Sequence, residues 1–170
     1  VPDVQINDGV SLPLLSVALP LAHDLARVQA VLDRLTGTQP VLPVAPRFGR
    51  AGVCTLMQDA PDHWFVRYDA GVPPPDARAA GEVVVTDITD GWITFRVRGD
   101  GARELLAQGA RVDLHGDAAT RCFFRTMLAE APVLLLLHER DCEVMVPRSY
   151  SAWVHAWLRH AAGFHERAQP

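Results

Sequence analysis

Apolar residues recur at three- and four-residue intervals in three stretches of the chain and at every second position in several others, which predicts a few helices among a larger number of strands. In HDLARVQAVLDRL, Leu25, Val28, Leu32 and Leu35 fall on one helical face, with Asp24 placed to cap the start and Gly37 just past the end. The runs AGVCTLMQ and DHWFVRYD predict two strands joined by a turn at DAPD, the second run rich in the aromatic and β-branched residues that suit a pleated surface. From Glu82 the alternation strengthens: EVVVTDIT, an Asp90-Gly91 turn, then WITFRVRG, where Ile93, Phe95 and Val97 alternate with Thr94, Arg96 and Arg98. DGARELLAQG predicts a short helix with Asp100 as N-cap, Ala102, Leu105 and Leu106 on one stripe, and Gly109 as its stop. TRCFFRTML, PVLLLLHE and DCEVMVP predict three more strands. The chain closes on RSYSAWVHAWLRHAAGF, a helix capped by Ser149 that buries Trp153, Trp157 and Leu158.

From Trp92 onward the order is therefore strand, helix, strand, strand, strand, helix, the pattern of an antiparallel sheet with helices on one face. The expected class is α+β, ferredoxin-like. Prolines 40, 43 and 46 and the triple proline of GVPPPDARAAG mark exposed connections, because proline fits neither a helix interior nor a central strand. Residues 1–50 are expected to form an N-terminal extension carrying the amphipathic helix, and residues 51–170 a single α+β domain around one core.

Composition narrows the function classes. A formal net charge of -4 and a pI near 5.9 argue against nucleic acid and against an anionic membrane surface as partners. There is no lysine, so a lysine Schiff base and a Walker lysine are excluded. Three cysteines without a CxxC pair suit reduced thiols better than a disulfide framework. The apolar start lacks a basic leader region and APVLLLLHE is too short to span a bilayer, so a soluble, cytoplasmic protein is expected.

The stretches that invite chemistry do not complete a site. RGDGARELLAQG has two glycines of a dinucleotide fingerprint but Glu104 in the third place, which leaves a tight turn into a helix. His155, His160 and His165 are five apart and cannot share one helical face, so no metal set is expected. Cys122 and Cys142 read as core residues, and PRSYS lacks the elbow that exposes a nucleophilic serine. Asp87, Asp90, Glu139, Asp141 and Glu143 sit where solvated turn acids usually do. No catalytic residue is assigned. Arginine and aromatic residues offer an interface instead: Arg121 and Arg125 share parity in one strand, and Arg148, Tyr150 and Trp153 follow another, which makes these five the candidate subunit contact.

The tract from VVVTDITDGW to WVHAWLRHAA resembles the gamma subunit of heterotetrameric sarcosine oxidase and related N-methyl amine dehydrogenases. The matching pieces, in order, are Asp87–Gly91, Gly99–Gly109, Asp113-Leu114, Arg121–Ala129, Val133–Leu136, and Val146, Arg148, Ser149 and Tyr150 before Trp153 and Trp157. The resemblance implies a fold similar to the folate-binding domain of the glycine-cleavage T protein. It also implies a structural gamma subunit of a flavin-dependent complex that oxidatively demethylates an N-methyl amino acid, linked to tetrahydrofolate. Such a chain holds no cofactor itself. The flavins FAD and FMN, NAD, tetrahydrofolate and zinc would belong to partner alpha, beta and delta subunits. The alternative is a stand-alone folate-binding one-carbon transfer protein, in which Asp87 or Asp113 would serve as the acid.

Overall fold

A computed structural model describes residues 4–18, 25–40, 42, 47–76, 83–115 and 121–167. In chain order the strands are β1 (Gln5–Ile6), β2 (Leu14–Ala18), β3 (Phe48–Ala51), β4 (Cys54–Ala60), β5 (His63–Tyr68), β6 (Val84–Asp87), β7 (Trp92–Arg98), β8 (Cys122–Leu128), β9 (Ala131–Leu137) and β10 (Asp141–Pro147). The helices are α1 (Leu25–Thr36), α2 (Ala102–Ala107) and α3 (Ser151–Arg167). The class is α+β, and every strand pairing is antiparallel.

Two compact units divide the chain: Val1–Ser11 with Gly91–Pro170, and Leu12–Asp90. The division falls elsewhere than the boundary expected at residue 50, because β2 and α1 build one unit together with β3 to β6. The turn at Asp90-Gly91 is likewise not the bend of a hairpin. β6 pairs with β2 in one sheet and β7 with β10 in the other, and a short 3-10 turn over Thr89–Gly91 passes the chain between the units.

In the first unit the sheet order is β1-β7-β10-β9-β8. Phe95 and Val97 of β7, Val133, Leu135 and Leu137 of β9, and Cys142, Val144 and Val146 of β10 form one buried face. Onto it pack Leu105 and Leu106 of α2 and Val154, Leu158 and Ala161 of α3. Thus both helices lie on one face of the sheet. His155 stacks on Phe95 with ring centroids 5.2 Å apart. At the N-terminal edge, Gly9 lies so close to β7 that an added Cβ would stand 2.5 Å from Ile93 Cγ2.

The helix caps differ from expectation. α2 begins after Gly101 without a side-chain cap, and Asp100 is exposed. What opens α2 is the turn itself: Gly99, at φ +111°, lets its carbonyl accept the Ala102 N–H at 3.0 Å. Ser149 is exposed within a 3-10 turn over Arg148–Tyr150, and the Ser151 hydroxyl instead donates back to the Arg148 carbonyl. Trp153 is not buried; the core stripe of α3 runs one residue further on, through Val154, Leu158 and Ala161, with Trp157 packed partly against it.

In the second unit the order is β3-β4-β5-β2-β6. Strand β2, LLSVA, was not predicted because it is apolar without alternation, and its burial explains why: Leu14, Leu15 and Val17 are all buried. Val28, Val31, Leu32 and Leu35 of α1 join Leu15, Val17, Leu56, Trp64 and Val66 in a second core, so the predicted helical face is the one buried. Tyr68 fastens the end of that helix, its hydroxyl donating to the Leu35 carbonyl at 2.7 Å. Asp24, the expected cap, lies outside the described residues, as do Pro43, Pro46 and the His165 side chain.

Candidate interaction site

Arg125 of β8 lies on a different face of the sheet from Trp153 of α3. Arg121 precedes β8 at φ +59°, and its N–H donates to the Leu137 carbonyl at 2.8 Å while Cys122 is also opposite Leu137. That left-handed backbone, just ahead of the strand, sets Arg121 outside the strict alternation that places Phe123, Arg125 and Met127 on a common face. Arg125 is exposed on the sheet face opposite the helices, since its neighbour Phe124 packs into the helix-covered core. β8 ends in the hairpin tip Ala129-Glu130, roughly 25 Å from Arg121 at 3.3 Å per residue.

That tip is where Trp153 is anchored. Ala129 and Glu130 both have positive φ, +49° and +65°, the geometry of a two-residue hairpin loop that normally favours Asn-Gly. Three contacts hold it there. The Ala129 N–H donates to the Gly109 carbonyl at 3.1 Å, Arg111 Nη2 reaches both oxygens of Glu130 at 2.8 and 2.7 Å, and Trp153 Nε1 donates to the Ala129 carbonyl at 2.7 Å. Trp153 nonetheless leaves 59% of its surface open, and Tyr150 leaves 42%. Arg148, Ala152, Ala156 and Arg159 are exposed beside them.

Elsewhere the polar clusters are internal. Across β7 and β10, Arg96 lies 2.8 Å from Asp141 through Nε, off the line of a straight hydrogen bond, and 3.6 Å from the buried Glu143 through Nη2. His138 approaches Glu143 at 3.6 Å. Asp87 accepts the Thr89 N–H and Asp113 the His115 N–H, so both are turn acids. Burial pushes the Cys142 thiol up to about 12 and the Cys54 thiol up to about 11, which keeps both protonated and poor nucleophiles.

One arrangement was not visible in the sequence, because its members come from three separate strands. The Ser16 hydroxyl lies 2.8 Å from His63 Nε2, and Asp59 lies 3.3 Å from His63 Nδ1 without hydrogen-bond alignment. Serine, histidine and aspartate in this order suggest a nucleophile. However, Ser16 sits in mid-strand with β2 paired to β5 on one side and β6 on the other. Backbone amides committed to two ladders cannot hold an oxyanion, so the trio is read as a hydrogen-bonded link across the sheet. Among the described residues no group of three or more His, Cys, Asp or Glu side chains is placed to hold a metal ion, and no helix is long and apolar enough to cross a membrane.

No family model and no curated protein matches the sequence. Solved structures do. A chain of heterotetrameric sarcosine oxidase from Corynebacterium sp. U-96, in complex with pyrrole 2-carboxylate, superposes with a TM-score of 0.80 at 19% identity, covering 98% of this chain and 87% of that one. Glycine cleavage system aminomethyltransferase T from Bartonella henselae superposes with a TM-score of 0.62 at 13% identity. That match covers 88% of this chain but only 44% of the aminomethyltransferase. The fold is thus shared with a chain of a multisubunit oxidase and with part of a one-carbon transfer protein.

Proposed function

We propose that this chain is a gamma-like structural subunit of a heterotetrameric, flavin-dependent amine-oxidising enzyme of the sarcosine oxidase kind. The observation that carries this reading is the two-way coverage of the oxidase match: nearly all of this chain corresponds to nearly all of one chain in a heterotetramer, so the likeness is to a whole subunit. Alpha, beta and delta partners would bring the flavins, NAD, tetrahydrofolate and zinc.

The second reading, a folate-binding one-carbon transfer protein, draws on the aminomethyltransferase match. That match spans 44% of the larger protein, against 87% of the oxidase chain. A tagged chain purified from its own cells tests both. Co-purification of a flavin spectrum with sarcosine-dependent oxidase activity, while the isolated chain is colourless and does not bind tetrahydrofolate, is the expected outcome. A flavin spectrum from the isolated chain overturns the subunit reading, and folate binding by the chain alone establishes the second one.

A further inference from the structure

Resting on that subunit reading, we infer that the outer face of α3, centred on Trp153 and Ala156, docks against an acidic surface of a larger subunit that offers an apolar pocket for the Trp153 ring. The first ground is how Trp153 is used. An indole at a wet surface normally keeps its N–H for water, but here the N–H is spent on the Ala129 carbonyl at 2.7 Å while 59% of the residue stays open. What remains outside is an apolar ring held in one orientation. Such a ring loses little freedom on binding, which is the property of an interface anchor.

The second ground is the scaffold that holds it. Ala129 and Glu130 occupy backbone conformations that side-chain-bearing residues rarely adopt, so the tip carries strain that the surrounding contacts must offset. Gly109 leaves no room for a side chain, an added Cβ standing 2.6 Å from Trp157. Strain and close packing at an exposed tip both serve to fix the site at which the Trp153 ring is presented.

Charge selects the partner. From Val144 to His165 the chain holds no aspartate or glutamate, although the whole protein has a net charge of -4. Arg148 and Arg159 are exposed along this stretch, and Ala152 and Ala156 lie open at helical spacing between the aromatic start and Arg159. Small residues let a partner approach the helix closely, and this stretch contributes arginines without an acid of its own, the one exposed acid at the adjoining tip, Glu130, being paired with Arg111, so that the face is complementary to a negative surface. A like-charged surface would repel this face, and a polar one would leave the Trp153 ring without an apolar seat.

The test uses the assembly recovered from its own cells through a tag on this chain, with flavin absorbance per chain as the readout. Ala156→Glu places a bulky negative group at the centre of the face at an exposed helical position, and Arg159→Glu reverses one rim charge. Each is expected to lower flavin retention at least about tenfold, as is Trp153→Ala, with the helical circular dichroism of the Ala156→Glu chain unchanged. A photocrosslinker at position 156 is expected to join an acidic segment of the larger subunit. If the wild-type chain retains no flavoprotein, the subunit reading falls and this inference with it. If the wild type retains it while both glutamate variants do so within twofold, or if the crosslink joins a second copy of this chain, the docking face is wrong and the subunit reading stands.

Discussion

At Gly109 an added methyl group would meet Trp157 Cζ2 at 2.6 Å and Cη2 at 2.9 Å, inside any tolerable contact distance. Gly109→Ala should therefore displace the indole and cost about 1–3 kcal/mol, read as a lower denaturation midpoint with loss of near-ultraviolet tryptophan ellipticity. Ala129 presents the opposite case. Its φ of +49° is one that glycine adopts without penalty, and the contacts at this position run through its N–H and carbonyl. Ala129→Gly should raise stability by about 0.5–1 kcal/mol, and a drop in melting temperature would show that the methyl group is needed. Cys142 carries a pH signature. Burial raises its thiol from the ordinary 9.0 to about 12, so between those values the unfolded chain has released a proton that the folded chain keeps. Stability is full below pH 9 and falls as pH rises through this window. Urea midpoints measured from pH 7 to 10 should fall, and should fall less steeply in Cys142→Ala.

At the scale of elements, Tyr68 couples the end of α1 to the sheet beneath it. Removing its buried hydroxyl in Tyr68→Phe leaves the Leu35 carbonyl without that donor, and should cost roughly 1 kcal/mol, with faster amide exchange in the last turn of α1 than in β4 or β5. Elements with a clear period were legible: the face of α1, the alternation of β7 and the run of three strands before α3 stand where their patterns put them, and the β4–β5 hairpin turns where expected, although AGVCTLMQ also takes in Ala51 of β3 and the Gly52-Val53 turn. β2 was not, because a continuous apolar run has no period to read. Asp90-Gly91 misled for another reason. A turn dipeptide reports that the chain bends, not which strand each neighbour pairs with, and here the flanking strands join different sheets.

For the whole molecule, the α+β class could be read from element order, and the likeness to the aminomethyltransferase fold followed from the family resemblance, whereas the division into two units could not be read. The candidate contact residues were legible by type, but their grouping depended on the left-handed backbone at Arg121 and at the hairpin tip of Ala129, and neither has a sequence signature, since both put side-chain-bearing residues where glycine is usual. The unit layout also sets an order of events. β1 finds its partner only in β7, with Gln5 opposite Arg98 and Ile6 opposite Val97, and Val10 bridges Thr94. Everything needed for the other unit lies between those partners in the chain. During synthesis the segment around Gln5 therefore emerges ahead of the whole Leu12–Asp90 unit and must wait through its making before its neighbour exists. Such a long wait leaves an unpaired strand available to wrong partners, and stalled nascent chains ending near Asp90 should show a protected β4–β5 hairpin beside an N-terminal segment still open to protease.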